Sequence, residues 1–177
     1  LNKIIKKLKK KNFKPVLIPR FDKSVDDRHK KIKWIKIKKP PKIIIFEGWC
    51  VGAKYQRETT LIKPLNLIES KHDAELKWRK KVNYYLKKNY KKLFNSLDKL
   101  IYLKAPSFNY IFKWRLLQEK KLKLTSNNKN TMSKSNIREF IMFYERITKQ
   151  MMKDFNIISD LTIFLDKNHR STKMKFF

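Results

Sequence analysis

The chain has 177 residues, 46 basic side chains against 15 acidic ones, and a formal net charge of +31. That length suits one domain with a real core and is short for two, and the 41% of hydrophobic residues excludes wholesale disorder. A single cysteine excludes a disulfide framework and fits a reducing cytoplasm; no apolar run approaches the length of a bilayer span.

A charge of this size ordinarily points to nucleic acid or an anionic membrane surface. Its makeup points elsewhere. Of the basic residues 38 are Lys and only 8 are Arg, whereas base and phosphate recognition favours the Arg fork. Abundant Lys, Asn, Ile, Phe and Tyr beside scarce Gly is the joint bias of AT-rich coding, and the lysines are spread over helix faces. We read most of the charge as solvated surface, without a specific nucleic-acid or membrane partner. A basic nucleic-acid-binding protein is the main alternative. The first residues carry lysines but no hydrophobic region of signal-peptide type.

In chain order, residues 1–12 place Ile4, Ile5 and Leu8 on one helical face with Lys around the rest, as in the last turns of a helix packing on a sheet. Val16-Leu17-Ile18-Pro19 predicts a short strand ending in a Pro-Arg-Phe-Asp loop. Residues 29–42 read as a Lys-rich connection holding Trp34, Ile35 and Ile37 and closing at Pro40-Pro41. Ile43-Ile44-Ile45-Phe46-Glu47 predicts a buried strand, and Gly48-Trp49-Cys50-Val51-Gly52 after it holds both glycines and the only cysteine. After Pro64 a long helical pattern follows, with Leu76, Val82, Tyr85, Leu86, Leu93 and Leu97 on one stripe. Asp73 and Glu75 near its start and Lys91, Lys92 and Lys99 near its end suit the helix dipole.

Residues 100–103 predict a second buried strand, stopped by Ala105-Pro106. Ser107 can cap a helix to about Leu124. Residues 125–131 read as a loop, and Ser133 or Ser135 begins another helix through Phe140, Phe143, Ile147 and Met151. Residues 161–165 predict a strand, and those from Asn168 a tail or short final strand. Continuous apolar strands alternating with helices predict an α/β fold with a parallel sheet covered on both faces.

Three of the fifteen acids fall between Pro19 and Arg28, just after a strand. Asp22 and Asp27 could orient a hydroxyl, accept its proton, or hold Mg2+ through water; Arg28 could grip a carboxylate or phosphate bidentately. A polar turn satisfying its own amides is the plainer reading. Glu47, closing a buried strand, would need a partner such as Mg2+ or an Arg, and Gly48 and Gly52 would let the backbone approach a ligand. Arg115, Gln118 and Glu119 share a helix face, either as an intrahelical ion pair or as a lid that brings Arg115 to phosphates. Cys50 has no partner at metal or nucleophile spacing, and His29, His72 and His169 are scattered. Trp34, Trp49, Trp78 and Trp114 suit core or wall positions.

Taken together, several segments resemble the D-glycerate 3-kinase family, within the phosphoribulokinase/uridine kinase branch of P-loop kinases. They are Ile18-Pro19-Arg20-Phe21-Asp22-Lys23 with Asp26-Asp27-Arg28, Phe46-Glu47-Gly48-Trp49-Cys50-Val51-Gly52, and Pro64-Leu65-Asn66 with Glu69, Asp73, Trp78-Arg79 and Val82-Asn83. Ala105-Pro106, Trp114-Arg115 with Gln118-Glu119, Met132-Ser133 and Tyr144-Glu145-Arg146-Ile147-Thr148 continue the match, in order, over residues 15–170. The resemblance implies a P-loop kinase-like parallel sheet flanked by helices, spanning 1–177 as one incomplete domain, and ATP-dependent phosphorylation of D-glycerate with ATP and Mg2+. It implies Asp22, Arg28 and Arg115 in catalysis, and Phe21, Lys23, Asp26, Asp27 and Trp49 around the acceptor. Gln118 and Glu119 fall on the nucleotide side and Glu47 near the metal.

One departure bears on activity. The family carries a Walker A loop on its first strand and an Asp-Asp-Phe-Tyr segment after its second, and neither occurs here. With two glycines, both near Glu47, no G-x-x-x-x-G-K-[ST] loop can be built. With the start at Leu1, this predicts a C-terminal portion missing its P-loop strand, inactive alone, or a degenerate, non-catalytic paralogue.

Overall fold

The computed structural model describes residues 1–22, 27–125 and 132–177. They form two compact units, Leu1–Glu47 and Gly48–Phe177.

In the first unit, α1 (Asn2–Leu8) buries Ile5 and Leu8, two of the three apolar residues of its expected face, and packs on β1 (Val16–Ile18). A short hairpin follows, β2 (Phe21–Asp22) antiparallel to β3 (Asp27–Arg28). A 3-10 turn, Lys31–Lys33, leads into β4 (Ile35–Ile37). The Lys-rich connection therefore contains a strand. Its Ile-Lys-Ile alternation gives one apolar edge, and β4 pairs antiparallel with β1, Ile37 opposite Val16 and Ile35 opposite Ile18.

The strand expected over 43–47 does not form. Residues 43–47 carry no regular structure, and Ile43 and Ile45 are 79% and 86% exposed. Strand propensity needs a neighbouring ladder to satisfy the backbone, and no strand of the described sheets offers one.

The second unit has α2 (Thr59–Ile62), α3 (Leu67–His72), α4 (Lys77–Tyr85), a π-helical turn (Leu86–Tyr90) and α5 (Lys91–Phe94). β5 (Ile101–Lys104), α6 (Phe108–Thr125), α7 (Lys134–Ile158), β6 (Leu161–Leu165) and β7 (Ser171–Phe176) complete it. Asn66 caps α3 by accepting from the Glu69 amide at 3.1 Å, and Ser133 caps α7 by accepting from the Asn136 amide at 3.1 Å. The loop read over 125–131 falls, from 126 on, outside the described residues. The long helix read from Leu65 to Leu97 is broken. Leu76 takes a left-handed φ of 63°, and the Asp73 carboxylate accepts from the amides of Trp78 (2.7 Å) and Arg79 (3.0 Å), starting α4 afresh.

The expected parallel sheet is also smaller and more mixed than the apolar runs implied. Among the described residues only β5 and β6 pair in parallel; β7 returns antiparallel to β6, and two two-stranded antiparallel pairs lie in the first unit. One face of β5-β6-β7 meets α7: Thr162 is fully buried and bonded to Ser159, and Phe164 meets the edge of Phe155. The register places Ile101, Leu161 and Phe176, then Leu103, Ile163 and Met174, in two rows on the opposite face. Ile101, Leu103, Met174 and Phe176 are all exposed there. No helix of the described residues is long and apolar enough to cross a membrane.

Three buried charges, Glu69, Asp73 and Arg79, and the partly buried Arg146 tie the helices together. Arg146 of α7 donates to both oxygens of Glu69 (2.7 and 2.5 Å) and to the carbonyls of Thr60 and Lys63 (2.8 Å each). Arg79 of α4 donates to the Asp73 carboxylate (2.8 Å), the Asp73 carbonyl (2.6 Å) and the Leu61 carbonyl (2.8 Å). Arg79 also lies 3.5 Å from Glu69. Burial alone would raise both carboxyls. At Glu69 the bonds from Arg146 and the Leu65 amide outweigh it, and at Asp73 those from the Trp78 amide and Arg79 do. Both groups are held below the usual range.

Because the folded values are depressed, this stabilisation is complete above the unfolded carboxylate values of about 4. It is lost as pH falls through them and then through the folded values. Glu69→Gln should destabilise the chain by roughly 3–5 kcal/mol at neutral pH and flatten this acid limb, measured by urea midpoints at pH 3 to 7.

Candidate active site

The hairpin residues of the first unit separate into two pairs. Register sets Asp22 opposite Asp27 and Phe21 opposite Arg28. Partners across a ladder share a face and successive residues alternate, so the acids lie on one face and Phe21 with Arg28 on the other. Lys23 and Asp26 lie outside the described residues. Asp27 accepts from the Arg28 amide at 2.6 Å. Asp22 is oriented by a residue that spacing did not single out: His29 Nδ1 lies 3.1 Å from its Oδ2. His29 is itself fixed, its amide donating to the Arg20 carbonyl (2.8 Å) and its carbonyl accepting from Trp34 Nε1 (2.7 Å). Only the turn register, invisible in the sequence, brings it to Asp22. Glu47 is exposed and has no partner among the described residues.

In the second unit a row of side chains runs from Trp49 to α6. Trp49 stacks on Tyr144 (4.8 Å between centroids, 12° between planes) and donates to the buried Thr148 hydroxyl at 3.0 Å. Tyr144 meets Phe140 at 5.3 Å, and the Arg115 guanidinium sits 5.9 Å over the Phe140 ring. Arg115 donates to Glu119, and Glu119 also accepts from the Met132 amide at 2.8 Å. Phe140, Tyr144 and Thr148 recur at i, i+4 and i+8, one stripe of α7. That helical spacing could have revealed Tyr144 and Phe140 as members of the row.

Other expectations resolve as follows. The Arg115–Glu119 pair forms, and Glu119 is buried while Gln118 is exposed. The Met132 amide, then Arg115, holds the Glu119 carboxyl below its usual range despite burial. α6 starts beyond Ala105-Pro106 at the carboxyl end of β5, the end where open α/β sheets handle ligands. Gly52 has a packing role: its φ is +86°, and a β-carbon there would strike the Leu100 side chain. Burial pushes the Cys50 thiol up to about 11, away from nucleophilic use. Trp114 is a wall residue, donating to the Lys167 carbonyl at 3.0 Å and packing on His169.

No family model matches the chain. The model resembles D-glycerate 3-kinase from Cryptococcus neoformans var. grubii, with a TM-score of 0.76 and 22% identity, covering 99% of this chain and 65% of that one. The fold is thus similar to that of a D-glycerate 3-kinase. The structure of YGR205w protein is similar too, with a TM-score of 0.70, 24% identity, and 98% and 61% coverage. In sequence, the uncharacterized kinase mug58 of Schizosaccharomyces pombe is 31% identical over 150 residues, 81% of this chain and 52% of that protein. The chloroplastic D-glycerate 3-kinase of Arabidopsis thaliana is 26% identical over 144 residues, 79% and 28%. The chain thus spans about half the length of one curated relative and about a quarter of the other. The resemblance read from the motifs therefore holds, and the chain is kinase-like.

Glu119 is the joint between α6 and the entry to α7. Glu119→Ala should free the Met132 amide and Arg115, at a cost of roughly 1–3 kcal/mol. Hydrogen exchange at Met132 should speed up about tenfold or more relative to amides in the middle of α7.

Proposed function

We propose that this chain is part of an ATP-dependent kinase whose acceptor is D-glycerate. The observation that carries the reading is the likeness, in sequence and over 99% of the chain in fold, to proteins named D-glycerate 3-kinase. On the acceptor side, Asp22, held by His29, takes the proton of the attacking hydroxyl, with Asp27 on the same face of the hairpin. The proposed carboxylate partners are Arg28, on the other face beside Phe21, or Lys23, which like Asp26 lies outside the described residues. On the phosphate side the groups come from the row between Trp49 and α6. Arg115, poised on Phe140 and steered by Glu119, offsets charge on the transferred phosphoryl group, with Gln118 beside it and Trp49 as a wall.

The glycerate hydroxyl oxygen bonds to the γ-phosphorus in line as the bond to the β,γ-bridging oxygen breaks. ADP leaves with that electron pair. Such transfers depend mainly on position and charge. Magnesium usually binds through one or two carboxylates plus phosphates, so the exposed carboxylate of Glu47 suits it. Glu47 would hold the ion, which would supply charge neutralisation at the phosphates. We read these residues as cytoplasmic and as working with a phosphate-binding loop that lies outside them.

Incubating the purified chain with Mg·ATP and D-glycerate and following 31P resonances tests this. Little or no transfer is expected from the 177 residues alone, and robust transfer would refute the need for an outside loop. Transfer is expected from a chain extended to include a Walker A segment. There Asp22→Asn and Arg115→Met should each lower kcat by roughly 100-fold. An active extended chain that ignores glycerate, or tight salt-dependent RNA binding without transfer, would overturn the acceptor or the enzyme reading respectively.

A further inference from the structure

A cavity of about 480 Å3 opens in the second unit at the end of the sheet opposite to α6. Leu100 and Asp160, the residues immediately before β5 and β6, both line it, so it sits at the amino ends of the parallel strands. Its floor is apolar: Ala53, Leu86, Phe94, Leu97, Leu100 and Ile158. Lys54, Tyr55, Lys91 and Asn95 form the polar wall, and Lys87 lies over the Tyr55 ring at 5.5 Å. The one acid, Asp160, is already engaged by Lys99 (2.9 Å) and the Leu100 amide (2.8 Å). Lys54 spends one weak bond, 3.5 Å, on the Ile157 carbonyl and keeps donors to spare.

Three features hold this space open. Asn83, buried in α4, clamps the Gln56 backbone through both its amide groups (2.7 and 3.0 Å), fixing the 53–56 wall. Gly52 supplies a turn that a side chain could not make without striking Leu100. The helix beneath switches to a π turn at Leu86–Tyr90. In an α-helix residues five apart face different ways; an i to i+5 turn stacks Lys91 over Leu86, so both reach the cavity. Such turns are poor in energy and cluster at functional sites. Size, an apolar floor and few polar groups on a preformed wall are the marks of a small-molecule site.

We propose that this cavity is a second ligand site, independent of the kinase reading, for a small organic anion. The apolar body lies on Leu86, Phe94 and Leu100, and a phosphate or carboxylate meets Lys54 and Lys91. The probe is 1-naphthyl phosphate, with neutral 1-naphthol as its counterpart, followed by calorimetry and by amide shifts of the folded chain. One saturable site is expected, with shifts at residues 52–55 and 91–100 and with naphthol at least about tenfold weaker. Lys54→Gln with Lys91→Gln, which removes the anion contacts, and Asn95→Trp, which plugs the exposed rim, should each weaken the phosphate about tenfold. Lys80→Gln with Lys120→Gln, which removes the same charge elsewhere, should not. Absence of saturable binding, equal effects of the two lysine pairs, or shifts confined to other residues would overturn the site.

Discussion

The ion cluster of Glu69, Asp73, Arg79 and Arg146 is the constraint on which the second unit depends. Helices of four and six residues do not stand alone in water, and α2 and α3 are of that size. Their exposed carbonyl ends are the weak point of such short helices. The two guanidiniums answer this directly, because four of their bonds go to backbone carbonyls between Thr60 and Asp73 that hydrophobic packing cannot satisfy. The charges sum to zero within the cluster, so none is left uncompensated where Arg79 and Glu69 are buried. Arg suits both positions because one planar fork can serve carboxylate and carbonyl together, which a Lys ammonium does less well. In a chain with 38 lysines and 8 arginines, the buried cation among the described residues is an arginine, Arg79.

α7 carries this constraint to the candidate site. Arg146 and Glu145 face α3, Glu145 sharing the Asn66 side chain with the Met142 carbonyl (2.9 and 3.0 Å). The adjacent stripe, Phe140, Tyr144 and Thr148, holds Trp49 and reaches Arg115. Further along, Met151 enters the core and Phe155 meets the sheet. A shift of α7 along its axis would therefore disturb the ion cluster, the Trp49 stack and the sheet contact together. The fold and the row from Trp49 to Arg115 share one rigid element, which is how a guanidinium on α6 is kept in a defined place.

Local signals were legible in the sequence where the chain itself satisfies them. Ser133 caps α7, the apolar runs read at 100–103 and 161–165 pair as parallel strands (the first as Ile101–Lys104), and Arg115 meets Glu119 at helical spacing. Signals that depend on a distant partner were not. The Ile43–Glu47 run has every strand preference and no described neighbour to pair with, so it stays irregular. The stripe from Leu65 to Leu97 continues in hydrophobicity across a break that Asp73 makes by hydrogen bonding. Ile35-Lys36-Ile37 looked like a linker because its pairing with Val16–Ile18 spans a distance that local pattern does not encode. The candidate site divides in the same way. Arg115, Glu119 and Trp49 could be named from motif and spacing, and the i, i+4, i+8 spacing of Phe140, Tyr144 and Thr148 carried a signal too, while His29 needed the three-dimensional register.

The excess charge reads differently once the aromatic rings are placed. A sequence-tolerant nucleic-acid surface needs exposed ring faces beside free cations. Here the cations already sit on the chain's own rings: Lys104 on Phe155 at 3.6 Å, Lys113 on Tyr110 at 4.9 Å, Lys149 on Phe108 at 5.5 Å and Arg138 on Phe112 at 5.4 Å. Burial holds the Lys104 ammonium below its usual range, as expected for a lysine used as packing material. Trp49 and Trp114 each turn one face to a neighbouring ring, Tyr144 and His169, while Trp78 stands exposed. The charge-free surface is instead the open face of β5-β6-β7, where Ile101, Leu103, Met174 and Phe176 stand in water. Apolar rows of that kind are costly to leave bare.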